Sequence, residues 1–225
     1  MSRETFLARV RQAAEVGRAY RVHLHAVPPD VGYVGVAGDL CERLAYEVNA
    51  VGGQAWIVDD FGAARGQLVE LIREQDAKSA LCWKHEVLDR LGLNELLESQ
   101  QVQRHEYDDL VARDEKDCRL TALAAGIGIT SVDCAIAETG TLMVCSRPGQ
   151  ERIASLLPPT HVAIVERSQI VPDLIDAMNL LHERGLEHLP SNITLITGPS
   201  KTGDIELQLT TGVHGPGKWR VIIIR

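Results

Sequence analysis

Short apolar segments alternate with amphipathic ones along the chain, and this alternation restricts the possible folds more than any other sequence feature. Compact runs typical of buried strands cover residues 54–58, 79–82, 127–130, 162–165, 193–197 and 221–224. Apolar residues at helical spacing lie between these runs, and Asp39 and Asp114 stand where they can cap two of the helices. Strands separated by helices favour a largely parallel sheet with helices on both faces. The sequence therefore predicts an α/β fold.

The composition is typical of a soluble globular protein. Of the 225 residues, 45% are hydrophobic, which is enough for a core that needs neither disulfides nor a metal. The N-terminal segment lacks the features of a signal peptide, and no apolar stretch is long enough to span a bilayer. A net charge of −8 without a basic stripe argues against nucleic acid as a partner. We expect a cytoplasmic protein with no membrane span, and a small anionic molecule stays possible as a ligand.

The cysteines indicate neither a disulfide framework nor a redox centre. The chain has five of them, at positions 41, 82, 118, 134 and 145. Their number is odd and none shows C-x-x-C spacing, so an iron–sulfur cluster is not indicated either. We expect reduced thiols that pack in the core. His23 and His25 would share a strand face but lack a third ligand, so we predict no metal site.

The first candidate site follows the predicted strand that ends near residue 137. In open α/β sheets, ligands bind beyond the carboxyl ends of strands, which directs attention to such positions. Here Glu138 is followed by Thr139, Gly140 and Thr141. A glutamate at the mouth of a strand can act as a nucleophile, a general base or an acceptor for a substrate hydroxyl. The alternative is that Thr139 and Gly140 form a hairpin turn and that Glu138 is solvated.

The second candidate site follows the strand predicted at residues 193–197. A turn rich in Gly, Ser and Thr leads there into what reads as one helical turn. Backbone N–H groups of this segment, the hydroxyls of Ser200 and Thr202 and the ammonium of Lys201 can hold a carboxylate or a phosphate. Asp204 and Glu206 belong to the same segment. The alternative is a capped loop without a ligand.

The third candidate site is a histidine between glycines. His214 precedes Gly215 in a glycine-rich stretch close to the C-terminus. Glycines let the backbone approach a ligand closely, and a free imidazole can donate or accept a proton. The alternative is an ordinary histidine in a surface loop.

Four segments together resemble the LUD-domain family, in particular its small single-domain members. They are ITSVDCAIAETGTLMV (129–144), PPTHVAIVERSQIVPDL (158–174), GPSKTGDIE (198–206) and TGVHGPGKWRVIII (211–224). The resemblance is clear over the C-terminal half and rests on pattern alone in the N-terminal half. It implies one LUD domain over residues 1–225, with residues 1–30 forming a helical N-terminal arm. It also implies a three-layer α/β sandwich with a mostly parallel, twisted sheet, like that of sugar-phosphate isomerases and CoA-transferases.

The resemblance further implies a role in the oxidation of L-lactate to pyruvate. In that system the partner proteins carry iron–sulfur clusters, whereas this chain lacks the cysteine motifs for one, so no cofactor is expected in it. The substrate would be a small anionic hydroxy- or keto-acid. By this resemblance Glu138 and His214 are the expected catalytic residues, with Glu138 analogous to the glutamate that attacks acyl-CoA in CoA-transferases. The remaining motif residues are expected to bind substrate: Thr139, Gly140, Thr141, Ser200, Lys201, Thr202, Asp204, Glu206 and Gly215.

A second class of function stays open at this point. Glu138 and the anion-binding segment also suit a free-standing enzyme of the CoA-transferase or phosphosugar-isomerase type. A regulatory module that binds a ligand without turning it over is a third possibility. The sequence does not decide whether the chain has catalytic activity of its own.

Overall fold

The computed structural model describes residues 2–18, 38–205 and 208–225. The chain divides into two compact units, residues 1–34 and residues 35–225. In the first unit, helix α1 covers Arg3–Arg18, where the sequence predicts a helix. One domain with a helical arm over residues 1–30 stays our prediction for the organisation of the chain. His23 and His25 lie outside the described residues.

The second unit alternates helices and strands. Its helices are α2 (Leu40–Ala50), α3 (Phe61–Glu74), α4 (Glu86–Arg90), α5 (Leu93–Ser99), α6 (Tyr107–Val111), α7 (Glu115–Ala124), α8 (Ile153–Leu156) and α9 (Leu174–Glu183). Its strands are β1 (Gln54–Val58), β2 (Ser79–Cys82), β3 (Gln103–His105), β4 (Ile127–Thr130), β5 (Cys134–Ile136), β6 (Thr141–Ser146), β7 (Thr160–Glu166), β8 (Ile170–Val171), β9 (Asn192–Ile196), β10 (Lys201–Ile205), β11 (Gln208–Thr211) and β12 (Lys218–Ile224). Two 3₁₀ turns occur at Arg167–Gln169 and Leu186–His188.

Aspartates set the starts of four helices. The carboxylates of Asp39, Asp60, Asp114 and Asp173 accept hydrogen bonds from backbone N–H groups in the first turns of α2, α3, α7 and α9. Such caps satisfy N–H groups that have no partner within the helix. The predicted caps Asp39 and Asp114 are thereby confirmed. The spacing of Val171, Leu174, Ile175 and Met178 predicts a helix that includes Val171. The cap at Asp173 explains why α9 begins only at Leu174, and Val171 belongs to strand β8 instead.

The predicted parallel sheet is confirmed. Six strands lie in the order β1-β12-β7-β4-β2-β3, and every neighbouring pair is parallel. On β12, Arg220 forms an ion pair with Glu74 at the end of α3. Its neighbour Trp219 packs beside Gly53 and beside Val48, which belongs to α2. Because successive side chains of a strand point to opposite faces, α2 and α3 cover opposite faces of the sheet. The result is the expected three-layer sandwich.

A second, four-stranded sheet carries two of the candidate motifs. Its order is β8-β5-β6-β9, with β5 and β6 joined as an antiparallel hairpin. The turn of this hairpin covers residues 137–140, which agrees with the alternative interpretation of Thr139 and Gly140 as a hairpin turn. The helical turn predicted after residue 197 is wrong, because Lys201–Ile205 is instead strand β10, paired antiparallel with β11. Its Thr and Ile residues favour a strand, and the pairing to a distant segment overrides the local resemblance to a helix cap.

All five cysteines are free thiols; four are buried and Cys118 is half-buried.

Within residues 2–18, 38–205 and 208–225, no helix combines the length and the apolar character that crossing a bilayer requires.

Helix α8 packs directly on the central sheet at Gly128 of β4. A Cβ atom at Gly128 would lie 1.7 Å from the carbonyl oxygen of Ala154 in α8. Only a residue without a side chain allows this approach. The approach matters for function because α8 and the adjoining strand β7 both contribute to the cavity described below.

Replacing Gly128 by Ala is therefore expected to displace α8 and to lower the free energy of unfolding by about 1–3 kcal/mol or more. Gly66→Ala is the matched control, because Gly66 lies in α3 and a Cβ there would meet nothing within 4 Å. The control is expected to raise stability by about 0.5–1 kcal/mol. Denaturant unfolding of both variants measures the two effects, and equal stability of Gly128→Ala and the wild type would contradict the packing described.

Candidate functional site

A cavity of about 220 Å³ lies at the amino ends of two central strands. His161 and Trp219 are the second residues of β7 and β12, and they are register partners in the parallel ladder. Neighbouring strands lie about 4.8 Å apart, so the two rings stand side by side on one face of the sheet. The remaining lining residues are 155–156 from α8, 194–200 from β9 and the segment after it, and 214–216.

The cavity brings together residues of the second and third candidate motifs. Ser200, His214 and Gly215 all line it. The backbone N–H of Ser200 donates to the Pro216 carbonyl (2.9 Å), and the N–H of Gly212 donates to the Ser200 carbonyl (3.0 Å). A Cβ atom at Gly215 would lie 3.4 Å from Cβ of Ser200. These contacts hold the two loops against each other at the cavity wall.

A chain of hydroxyl groups connects the first motif to the same cavity. Thr139 Oγ1 lies 2.6 Å from Thr141 Oγ1, which lies 2.7 Å from Thr197 Oγ1. Thr197 lines the cavity, whereas Thr139 and Thr141 do not. The register of β6 and β9 explains the meeting, since Leu142 pairs with Ile196 and the next pair of residues is Thr141 and Thr197.

Glu138 and Gly140 do not line the cavity. Glu138 is half-buried in the turn, and its backbone N–H donates to the Pro172 carbonyl (3.0 Å). Gly140 has φ of +63°, and a Cβ there would lie 2.6 Å from the backbone nitrogen of Val48 in α2. The glycine is thus required by the turn and by the packing of α2 on it. A catalytic role for Glu138 stays a prediction.

The remaining residues of the second motif are directed elsewhere or lie outside the described atoms. Lys201 Nζ donates to the Val51 carbonyl (2.6 Å), and Thr202 pairs with Thr210 in the β10–β11 ladder. Asp204 lies in β10, with only its backbone described, and Glu206 lies outside the described residues. The predicted roles of these four residues in substrate binding stay predictions.

His161 and Trp219 are the cavity residues that the sequence analysis missed. Their exposed fractions are 0% and 1%, and within the described residues neither His161 Nδ1 nor Trp219 Nε1 has a hydrogen-bond partner. The other ring nitrogen of His161 lies 2.9 Å from Oγ1 of Thr130. An unpaired buried polar atom costs about 1–3 kcal/mol, so its presence calls for a reason. The signal in the sequence is a histidine and a tryptophan at the starts of otherwise aliphatic strands.

The position of the cavity departs from the expectation that ligands lie beyond the carboxyl ends of strands. Thr197 and Ser200 do follow the carboxyl end of β9 in the second sheet. In the central sheet, however, the cavity lies at the amino ends of β7 and β12, since His161 and Trp219 lie near the first residues of these strands. The carboxyl-end rule therefore describes one wall of this cavity and not the other.

A second polar cluster surrounds Asp133. Its carboxylate is 3% exposed, forms ion pairs with Arg147 and Arg184 (2.8 Å for Arg184) and accepts the backbone N–H of Cys145 (2.8 Å). The cluster connects the β5–β6 hairpin to the end of α9, which favours a structural role. Within the described part of the chain, no three His, Cys, Asp or Glu side chains are grouped so that they could hold a metal ion.

Burial keeps His161 uncharged. It lowers the pKa of this imidazole from 6.5 to about 4, because the charged form would lose its hydration. In the unfolded chain the same group takes up a proton near pH 6.5. The contribution of neutral His161 to stability is therefore complete above pH 6.5 and is lost as the pH falls towards 4.

We expect the free energy of unfolding of the wild type to fall by about 3 kcal/mol relative to that of His161→Phe between pH 7 and pH 4. The variant cannot take up the proton, so it lacks this part of the acid destabilisation. Urea unfolding of both proteins across this range measures the difference. His182→Ala, which removes an exposed histidine of α9, should follow the wild type. Parallel curves for wild type and His161→Phe would contradict the buried, neutral state.

The fold and the cavity define a three-layer α/β protein with an internal space sized for a small molecule. A LUD-domain family model matches residues 41–224. The chain belongs to the LUD-domain family, as the motifs indicated.

Relatives at higher and lower similarity agree with this assignment. Lactate utilization protein C of Anoxybacillus flavithermus is 31% identical over an alignment of 228 positions, which covers 98% of each protein. Lactate utilization protein C of Halalkalibacterium halodurans is 35% identical over 156 residues, 68% of this chain and 66% of that protein, just under two thirds of its length. The crystal structure of a DUF162 family protein from Deinococcus radiodurans has a TM-score of 0.59 at 19% identity, covering 83% of this chain and 96% of that one, and shows the same fold.

Proposed function

We propose that this protein is a component of L-lactate utilization, the oxidation of L-lactate to pyruvate, and that it acts with iron–sulfur partner proteins. The observation that carries the proposal is the similarity over 98% of the chain to a protein named lactate utilization protein C. The chain itself supplies a cavity and no cysteine motif for a redox cluster. Electron transfer would then fall to the partners, and ligand binding to this chain.

The size of the cavity supports a small acid as the ligand. Pockets for drug-sized molecules measure roughly 300–1,000 Å³. The volume of about 220 Å³ lies below that range, which suits a three-carbon hydroxy- or keto-acid better than an acyl-CoA. Glu138, the residue on which a CoA-transferase mechanism would depend, does not line the cavity. These two observations favour the lactate system over the free-standing CoA-transferase type of enzyme.

Growth on L-lactate as sole carbon source tests the proposal. A strain lacking this gene should fail to grow on L-lactate and should recover with the wild-type gene. His214→Ala is expected to restore growth poorly, because His214 lines the cavity. The exposed His182 does not, so His182→Ala is the matched control and should restore growth fully. Unimpaired growth of the deletion strain on L-lactate would contradict the proposal.

The same strain tests the predicted role of Glu138. If Glu138 is catalytic, Glu138→Ala should fail to restore growth although the protein accumulates to normal levels. Full recovery with Glu138→Ala would contradict a catalytic role and leave Glu138 only a structural role in the turn.

For the partner proteins, the expectation is that purified iron–sulfur partners oxidise L-lactate more slowly without this chain. An unchanged rate would rule out its role as a component of the complex.

A further inference from the structure

Two neighbouring side chains of the central sheet carry unpaired nitrogens and line one cavity. His161 and Trp219 are register partners on β7 and β12, so their side chains leave the same face of the sheet. Within the described ranges His161 Nδ1 and Trp219 Nε1 have no hydrogen-bond partner, and both atoms are buried. Buried polar groups in native proteins are nearly always paired. Two exceptions on neighbouring strands at one cavity mark it as a place where a polar group can bind.

Thr130 determines what His161 can offer to such a molecule. Within the described residues the Thr130 hydroxyl has no partner other than His161 Nε2, at 2.9 Å. If the ring donated to Thr130, the buried hydroxyl proton and the Nδ1 lone pair would both lack a partner. If Thr130 donates to Nε2, only the N–H at Nδ1 lacks one. The second arrangement leaves fewer groups unsatisfied, so we assign the proton of the neutral ring to Nδ1.

With this tautomer the two unpaired groups are both donors. The indole Nε1–H can only donate, and the imidazole then presents Nδ1–H beside it. A pair of N–H donors on neighbouring side chains complements an oxygen that only accepts, such as that of a carboxylate. A hydroxyl oxygen can also accept but carries no negative charge, and an ammonium group cannot accept at all.

The rest of the cavity restricts the ligand further. Among the described residues that line it there is no lysine or arginine, and Leu156, Leu195 and Ile196 supply apolar walls. A second anionic group would meet these walls without a partner, which is costly. The hydroxyls of Ser155, Thr194 and Thr197 also line the cavity but already have hydrogen-bond partners. Ser200 and His214, on the loop side, can approach a second oxygen. The cavity thus suits one carboxylate with a short, uncharged remainder.

We infer that His161 and Trp219 bind the carboxylate of a small monocarboxylic acid through two neutral N–H groups, and that Thr130 is a positioning residue that keeps the imidazole in the donating tautomer. The inference rests on the proposed function for the kind of acid, a 2-hydroxy or 2-keto acid. The low pKa that burial gives His161 agrees with it, because the ring then stays neutral at physiological pH. Recognition of the acid depends on hydrogen bonds and not on a fixed positive charge.

Calorimetric titration of the purified full-length protein with pyruvate and with L-lactate tests the inference. Trp219→Phe removes the indole N–H, and Thr130→Val removes the hydroxyl with little change in shape. Trp219→Phe should weaken binding roughly 10- to 100-fold, as expected for the loss of one hydrogen bond to a charged group. Thr130→Val should weaken binding by up to about tenfold, because Thr130 does not contact the acid and its loss removes only the preference for the donating tautomer. Thr130→Ser keeps the hydroxyl and should bind within about threefold of the wild type.

A control variant and a measurement of the His161 tautomer distinguish a role in binding the acid from a merely structural role. Arg147→Ala removes a cation from the Asp133 cluster while Arg184 still pairs with Asp133, so it should bind as the wild type does. Nitrogen-15 NMR of His161 in the wild type should show the proton on Nδ1, and in Thr130→Val that preference should be lost. Succinate, with its second carboxylate, should bind at least tenfold more weakly than pyruvate.

Three results would overturn the inference, and they differ from those that test the proposed function. They are wild-type affinity in both Trp219→Phe and Thr130→Val, a proton on Nε2 of wild-type His161, or no binding of either acid by the wild type. If the variants fail to fold, the tautomer of His161 and the binding of the acids, both measured on the wild type, still decide the question. Growth of the deletion strain on L-lactate tests the pathway separately. If that strain cannot grow while the two variants bind normally, the pathway stands and the carboxylate site is wrong.

Discussion

The parallel ladder between β7 and β12 is the constraint on which the rest of the structure depends. Seven residue pairs connect these strands, the second and third of the six-stranded sheet, from Lys218 with Thr160 to Ile224 with Glu166. The register puts His161 beside Trp219. A slip of one residue would turn one of these rings to the other face of the sheet, towards α3, and would end the pairing. The cavity therefore depends on main-chain hydrogen bonds that lie well inside the sheet.

Two glycines let the helical layer approach this ladder. Gly53 leaves room for the Trp219 ring, since a Cβ there would lie 2.5 Å from Cε3 of the indole. Gly128, the register partner of His161 on β4, leaves room for the backbone of α8. The cavity thus has a rigid wall formed by the sheet and α8, and a loop wall formed by the segments around Ser200 and His214. Polar groups on the rigid wall are held in place before a ligand arrives, which lowers the entropic cost of binding.

The sequence predicts the central sheet well because its strands are apolar and bounded by helix caps and glycines. Strands β1, β2 and β4 begin and end where the apolar runs do. Strand β3 was missed because it is a short edge strand with the polar sequence Gln-Arg-His. The β10–β11 hairpin was missed because its pairing partner is supplied by tertiary structure, whereas the local Gly, Ser and Thr residues are equally typical of a loop.

The candidate site could be predicted only in part for a related reason. Local motifs identify the loop wall, because Ser200, His214 and Gly215 stand out against their neighbours. His161 does not stand out, because a histidine in an apolar strand is more often a satisfied core residue, and its missing partner becomes visible only when β4, β7 and β12 are assembled. The same holds for Gly140, whose requirement comes from the contact with α2. Motif analysis finds what is unusual along the chain, and the unsatisfied nitrogens are unusual only in three dimensions.

A crystal structure of the protein grown with saturating pyruvate would test the central claim most directly. We expect one carboxylate oxygen of pyruvate within about 3 Å of both His161 Nδ1 and Trp219 Nε1, with the methyl group towards Leu156 and Leu195. Pyruvate bound at Arg147 and Arg184 instead, or a cavity that holds no pyruvate at saturation, would contradict it.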